Sequence, residues 1–546
     1  MILILLSIII LLPCLLGFGK LLCTIFNFQL FEGLVNDALI GVFGISLLYT
    51  ALAFFIPLNL YVEIPTLLLG IFLFVKYKIY QNFNIFSKKE IVLLAISILI
   101  MIYCAAFPPY ILDHFGYYVP SIQWLTEYGL VKGISNLDIV LGQMSIWHIF
   151  QAGFSNFSDP FLRINVLLLV IYLLYIIEKK SWIQLCFLPL LLLFTQSPSP
   201  DLPVIVFSLI LLNEIIKGNK NAASIFAFSI FVFAIKPTMI WLAILSFICV
   251  LFVVKFNYKS LIFGILILLL FFIKNIWTFG YPIFPVSLLD PHVIWKPNPE
   301  LLQISSKFAI LKTYDMQFSY EEIMQFSWYD YIKNWLLLNG VKSIINLFFI
   351  VSLILFTVFT IFKNNKIITF IYISIVIKSI LVLLFSAQYR FFIDVFFVVF
   401  FLMLYDFFTR KRSILFYSIF SLFIVGYITF PMILGQIIPS YRMSSLMGQF
   451  SFKQIYKPSI YQYKKFESYQ VGNLKFNISH RYSLNFDTPT PAISESFVLD
   501  YQNAGIFPQL IDQKDISKGF IWKKLNKTEK LEVQNVILKI KNTYRD

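Results

Sequence analysis

Charge is scarce in this sequence: Asp, Glu, Lys and Arg make up 13% of the 546 residues, about half the share usual in a soluble domain. With 59% hydrophobic residues and a mean hydropathy of +0.82, a water-soluble globule is excluded. The five cysteines (Cys14, Cys23, Cys104, Cys186 and Cys249) fall in or beside apolar segments, with no CxxC pair. That spacing supports neither a disulfide framework nor a zinc site. There are four histidines, without ligand spacing. The net charge of +15 comes without the clustering of Lys and Arg among aromatics on one face that nucleic acid requires, so no nucleic-acid partner is expected. Internal repeats and low-complexity linkers are also missing. The first twenty residues have no basic n-region and no small-residue cleavage site, and read as a first helix that is retained.

What is abundant is apolar runs of membrane-crossing length. About fourteen segments between 2–18 and 413–437 qualify, 183–195 and 222–235 being the shortest. Orientation follows from the loops, because Lys and Arg collect on the cytoplasmic side. Alternate loops hold Lys20, Lys76 to Lys89, Lys179 and Lys180, Lys217 and Lys220, Lys255 and Lys259, Lys363 and Lys366, and Arg410 to Arg412, whereas the others hold little beyond Lys236 and Arg390. The predicted fold is therefore an all-α polytopic membrane protein. Transmembrane helices occupy 1–107, 163–277 and 341–437, outer loops 108–162 and 278–340, and an extracytoplasmic tail 438–546. Aromatic residues at helical spacing in 108–162, and the amphipathic end of 278–340, predict helices lying in the membrane interface. Alternation in GNLKFNISHRYSLNF and SESFVLDYQ predicts a small β-containing or α+β tail domain.

Asp113 is the first acidic residue after a segment that exits outward, and His114, Tyr117 and Tyr118 follow it. A carboxylate there, beside rings on which a sugar can stack, suits a general base for an acceptor hydroxyl. The other reading of Asp113 is a helix cap. Asp138 is either a second carboxylate facing Asp113 or a loop residue, and His148 either moves protons or packs. Lys378 falls mid-segment, where a charge needs a partner, and Asp394 on the next segment suits. Asn477 and Asn526 match the glycosylation acceptor pattern, which is too short to carry weight.

Asp113 past an outward-exiting helix, followed by Tyr117, Tyr118 and an aromatic helix, resembles the first outer loop of the GT-C superfamily of polytopic glycosyltransferases. Lys236-Pro237-Thr238, and Lys274-Asn275 followed by Gly280-Tyr281-Pro282 and Pro285, are similar to later segments of such proteins. The likeness covers about 110–410. DHFGYYVPSIQW, LVKGISNL and Lys518-Gly519-Phe520 also resemble a family of bacterial multi-pass membrane proteins with no assigned activity. The GT-C resemblance implies transfer of a sugar from a polyprenyl-phosphate-linked donor to a lipid, glycan or protein acceptor, at the outer face of the bacterial plasma membrane, in building the cell envelope and its polysaccharides. It implies Asp113 as the base, with His114, Tyr117, Tyr118, Lys236, Lys274 and Arg390 binding substrate. The three cations lie at predicted outer helix ends, where they either hold a lipid phosphate or snorkel to the interface. The pattern departs from the superfamily in two ways: Asp113 follows the fourth segment rather than the first, and His114 stands where many members have a second acid. No cofactor is expected; a divalent metal is compatible but has no residues assigned to it. Two further classes fit the sequence: a transporter or flippase for lipid-linked glycans, and a non-catalytic membrane assembly protein.

Overall fold

The computed structural model describes residues 1–253, 258–432 and 446–543; Lys255, the last residues of segment 413–437 and the boundary at 438 fall outside the described residues. Helices α1 (Ile2–Phe26), α2 (Leu34–Leu52) and α3 (Leu60–Lys76) form a tight N-terminal group. Small residues set their spacing. A Cβ at Gly41 would run into the Leu15 carbonyl, and one at Gly19 into that of Asp37. Backbones this close gain dispersion contact, which in lipid does the work that water exclusion does elsewhere. Glu63, wholly buried at the start of α3, accepts hydrogen bonds from the backbone N–H groups of Asn156, Phe157 and Ser158 (3.0, 3.0 and 2.7 Å) and from the Ser158 hydroxyl (2.6 Å). It ties the turn after residue 152 to this group.

The chain continues through α4 (Lys88–Ala105), α5 (Val119–Glu127), α6 (Ile146–Ala152), α7 (Ile164–Glu178), α8 (Leu188–Leu191), α9 (Asp201–Ile216), α10 (Ala222–Ile235), α11 (Ile240–Phe252) and α12 (Lys259–Phe279). Then come α13 (Pro299–Thr313), α14 (Tyr320–Met324), α15 (Trp328–Leu336), α16 (Val341–Lys363), α17 (Lys366–Phe385), α18 (Ile393–Met403) and α19 (Arg410–Thr429). Six of these, α1, α2, α12, α16, α17 and α19, are long and apolar enough to cross a bilayer, and a seventh joins them if α3 and the turn Ile79–Ile85, bent by 62°, count as one span. Large apolar side chains such as Ile9, Phe72, Leu266, Leu347 and Leu422 point out of the bundle, forming faces that lipid covers. The chain is a multi-pass membrane protein.

Fewer helices reach spanning length than the apolar runs predict, because several runs are cut into short pieces. Segment 183–195 is a single α turn, α8, between two 3₁₀ stretches, with Pro189 inside. Helices α7, α10 and α18 stop at 15, 14 and 11 residues, short of the ~20 a perpendicular crossing takes. The aromatic residues of 108–162, expected on the membrane surface, turn inward instead: Tyr118, Trp124 and Trp147 are buried in protein. Segment 299–336 does carry exposed aromatic residues, among them Trp328 and Tyr329, on helices started by capping boxes at Ser319 and Ser327.

Beyond α20 (Lys453–Tyr456), the tail contains two separate antiparallel hairpins, β1 (Phe466–Val471) with β2 (Leu474–Ser479) and β3 (Ile506–Leu510) with β4 (Phe520–Lys524), plus α21 (Glu495–Asn503) and α22 (Lys527–Thr543). The alternating stretch SESFVLDYQ is thus a helix, not a strand. Ser494 precedes it in extended conformation, and Val498 and Tyr501, three residues apart, share its buried face. Asn136 joins the three regions assigned to the outer side: its Nδ2 donates to the carbonyls of Gly133 (3.1 Å), Trp295 (2.7 Å) and Phe520 (3.3 Å). The Tyr501 hydroxyl donates to the carbonyls of Asn136 and Leu137 (2.9 and 3.0 Å), and Trp522 Nε1 to that of Lys296 (3.1 Å). Loops and tail therefore form one folded cap.

The close packing of α1 and α2 is testable with two alanines. Gly41→Ala is expected to lower the melting temperature in detergent by an amount equivalent to roughly 1–3 kcal/mol. Gly426→Ala on α19, where no described residue lies within 4 Å of an added Cβ, is expected to be neutral or slightly stabilising.

Candidate functional site

Helix α4 ends at Ala105, and Pro108-Pro109 keep the chain from continuing it. The strand of chain that follows is held by Arg163, buried at the start of α7. Its Nε donates to the Ala105 carbonyl (2.8 Å), Nη1 to Phe161 (2.5 Å), and Nη2 to Phe107 (3.3 Å) and Ser459 (2.8 Å). A planar fork with five donors suits four carbonyls from three segments. Asp113 then enters a single π turn, His114–Tyr118, which runs into α5. Such turns widen the helix and spread its side chains.

From this turn a closed ring of side chains can be followed. The Asp113 carboxylate pairs with Arg390 (Oδ2 to Nη2, 2.8 Å), on the short turn Tyr389–Phe391 before α18. Arg390 and Lys236 flank the Phe391 ring, at 5.6 and 5.5 Å from its centroid. Lys236, just after α10, pairs with Asp201, the first residue of α9. Ser199 donates to Asp201 (3.2 Å) and receives the Tyr118 hydroxyl (3.4 Å), which leads back to the π turn. Two carboxylates and two cations thus share the ring, each cation paired with one acid and the two cations meeting at Phe391. Burial works against the Arg390 charge, yet Asp113 and Asp201 outweigh it and hold the guanidinium above its usual pKa. The ring is open at one end: the Arg390 and Asp113 side chains are 41% and 37% exposed, those of Lys236 and Asp201 7% and 14%.

Tyr117 is buried beside the ring; its hydroxyl accepts from the Ser145 N–H (3.2 Å), while the Ser145 hydroxyl donates to the Ile235 carbonyl next to Lys236 (2.8 Å). His148 packs between Tyr117 and Tyr118, with centroids 4.9 and 4.8 Å away, and burial depresses its pKa to about 3. His114 stacks edge-on against Phe115 at 4.9 Å and is likewise held neutral by burial, with Arg163 and His148 adding to the effect. Both imidazoles are uncharged packing groups at neutral pH. Lys274 is buried and turned to the backbone, donating to the Gln143 and Met144 carbonyls (2.7 and 3.0 Å). Asp138 does not face Asp113. It lies under the tail, accepting from the Val140 N–H (3.1 Å), Asn485 Nδ2 (3.3 Å) and the Ser494 hydroxyl (3.4 Å). Among the described residues, no three His, Cys, Asp or Glu gather as a metal site requires.

Lys378 is buried on α17 and pairs with Asp394 at the start of α18; Trp241 Nε1 also donates to Asp394 (2.8 Å). This triad joins α11, α17 and α18 one helical turn after Arg390. Asp201 and Ser199 have no counterpart in the sequence reading. The available signal was Ser197-Pro198-Ser199-Pro200-Asp201, a proline-broken polar stretch ending in an acid at a predicted helix start.

Residues 1–397 match the family model described as a domain of unknown function, DUF8201. The chain belongs to the DUF8201 family. In this DUF8201 protein the matched region holds every member of the ring, including Arg390, while α19 and the tail lie beyond it. No curated protein and no solved structure matches the chain.

Burial raises the Asp138 pKa to about 7, against about 3.9 in an unfolded chain. A raised carboxyl favours the folded state when protonated, so this contribution is complete below about pH 4 and is lost as pH rises to about 7. Asp159, raised by burial to about 7, acts in the same direction. The protein is therefore expected to melt at a higher temperature at pH 5 than at pH 8, and Asp138→Asn should narrow that difference by raising stability at pH 8. Thermal unfolding in detergent at both pH values measures it.

Proposed function

We propose that this protein is a GT-C-like glycosyltransferase that moves a sugar from a polyprenyl-phosphate-linked donor to a lipid, glycan or protein acceptor at the outer face of the bacterial plasma membrane. The observation that carries the reading is the Asp113–Arg390 pair, at the open end of an otherwise buried ring of charge. In the resting state the guanidinium neutralises the carboxylate. A donor phosphate, with more negative charge and a geometry suited to the guanidinium fork, competes for Arg390 and frees Asp113. Asp113 then takes the proton of the acceptor hydroxyl. The acceptor oxygen bonds to the sugar's anomeric carbon, the bond from that carbon to the phosphate oxygen breaks, and polyprenyl phosphate leaves with its charge against Arg390. Lys236, paired with Asp201 behind Phe391, adds positive potential. Tyr117 and Tyr118 shape the wall, and His114 packs behind it.

In this reading the chain crosses the membrane about fourteen times, the short apolar helices running tilted or re-entrant, with the cap outside. The alternation of basic loops supports that sidedness. A carrier for lipid-linked glycans is the second reading, favoured by the buried Lys378–Asp394 pair, since ionisable groups deep in membrane proteins often mark transport paths. Against it, the Trp241 indole closes that pair into a triad that joins three helices.

Two experiments test the proposal. Asp113→Asn is expected to reduce a surface glycan made by wild-type cells at least about a hundredfold, and Arg390→Lys, which keeps the charge but not the planar fork, by about tenfold or more. Mass spectrometry of surface glycans at matched protein levels measures both, and unchanged glycans in Asp113→Asn overturn the catalytic role. Separately, Gln513→Cys in the tail is expected to react with a membrane-impermeant maleimide on intact cells, while the buried native cysteines stay unlabelled. Labelling only after lysis overturns the sidedness.

A further inference from the structure

Away from the charged ring, the turn joining β3 to β4 borders a cavity of about 620 Å3 that is open to solvent. Its walls are Ile511, Asp512, Gln513, Lys514 and Lys518 from the tail, and Lys132, Ile294 and Trp295 from the two outer loops. The floor is rigidly built. Trp295 donates its indole N–H to the Ile276 carbonyl (2.9 Å), which fixes the ring plane. The Lys132 ammonium sits 4.5 Å from the Trp277 ring and 5.6 Å from the Trp295 ring, and its carbonyl accepts from the Phe520 N–H (2.9 Å). The tail is therefore stitched to the loop at the edge of the cavity. The lining carries three ammonium groups against one carboxylate, Asp512. Asp515 on the same turn is turned to the N–H and hydroxyl of Ser517 (2.9 and 2.5 Å).

We propose that this cavity binds a segment of acidic glycan, one sugar ring lying against Trp295 and its anionic group held by Lys514 and Lys518. Three features select that ligand. A volume within the usual range for small-ligand pockets accommodates one or two sugar residues. A half-buried indole of fixed orientation supplies an apolar face for the C–H side of a sugar ring. Lysine ammoniums, as strongly hydrated point charges on flexible stems, accept a carboxylate or a phosphate ester alike. The site deepens the transferase reading by naming the acceptor's chemistry, and it rests on that reading only for the side of the membrane. Its separation from Asp113 and Arg390 makes it a holding site for a growing chain rather than part of the reacting centre.

Binding can be measured without turnover. Full-length protein in nanodiscs of phosphatidylcholine is titrated calorimetrically with three oligosaccharides of equal length: oligogalacturonate (carboxylated), a phosphodiester-linked glycerol-glucose oligomer (phosphorylated) and maltooligosaccharide (neutral). At least one acidic oligomer is expected to bind saturably, and the neutral one at least about tenfold more weakly. Which acidic oligomer binds tighter identifies the anionic group. Lys514→Glu with Lys518→Glu, both exposed and so harmless to folding, should weaken that binding by roughly tenfold or more, and Trp295→Phe should weaken it less than Trp295→Ala. Asp113→Asn should bind as wild type, so a failed transferase reading and a failed glycan site give different results. Saturable binding by no acidic oligomer, equal binding of the neutral one, or binding that survives the double charge reversal overturns the proposal. Loss of acidic-oligomer binding when the nanodiscs contain phosphatidylglycerol also overturns it, by assigning the cavity to a lipid headgroup.

Discussion

A charged group at the edge of a bilayer has to be paired, bonded to backbone or reach water, and the architecture is organised around how each charge in this chain meets that demand. Asp113 and Arg390 answer each other across two segments far apart in sequence, and Lys236 and Asp201 do the same behind them. Helix α9 begins at Asp201, α10 ends beside Lys236 and α18 begins after Arg390, so the two pairs fix three helix ends relative to the π turn. Pairing alone does not make a reacting site. What distinguishes the Asp113–Arg390 pair from the Lys236–Asp201 pair behind it is partial exposure, because a pair that water reaches can also be reached and exchanged by an anionic ligand.

The other charges show the structural alternative. Arg163 and Lys274 are buried with no ion pair among the described residues and donate to carbonyl oxygens, so both side chains organise backbone. Glu63 does the same with backbone N–H groups. Arg163 is the most consequential for the site, since it holds the approach to Asp113 and reaches Ser459 in the tail with the same guanidinium. The cap built by Asn136, Tyr501 and Trp522 sits next to this approach: Phe486 of the tail packs on Phe115 at 4.7 Å and donates its N–H to the Phe115 carbonyl (3.0 Å). Substitutions in the tail thus have a physical route to the π turn.

Reading along the chain identified many of the participants and few of their partners. Asp113, Tyr117, Tyr118, Lys236 and Arg390 stood out as polar or aromatic residues at predicted helix ends, and the fold brings all five into one neighbourhood. The Lys378–Asp394 pairing was legible because a lone mid-segment charge requires a counter-charge and the next segment offered one. Asp201 was missed because an acid after Ser-Pro-Ser-Pro looks like loop polarity until Lys236 is seen across from it. The α21 helix was misread because two residues three apart in an alternating stretch serve a strand face or a helix face equally well, and the choice falls to what packs against them. Helices of spanning length came out fewer than the apolar runs for a related reason: apolarity says that a run is buried, not whether lipid or protein buries it.

By itself, the sequence determined that this chain lives in a bilayer, since no other solvent accommodates so little charge among so many apolar runs. It also marked which residues are unusual, because a polar group in an apolar setting stands out without any knowledge of its neighbours. Only the tertiary structure decided that Arg390 meets Asp113 and Lys236 meets Asp201, which lysine is spent on carbonyls, and which pair is left partly exposed. Those outcomes depend on distances of a few ångströms between segments tens to hundreds of residues apart, and electrostatic and hydrogen-bond energies fall away over that same range.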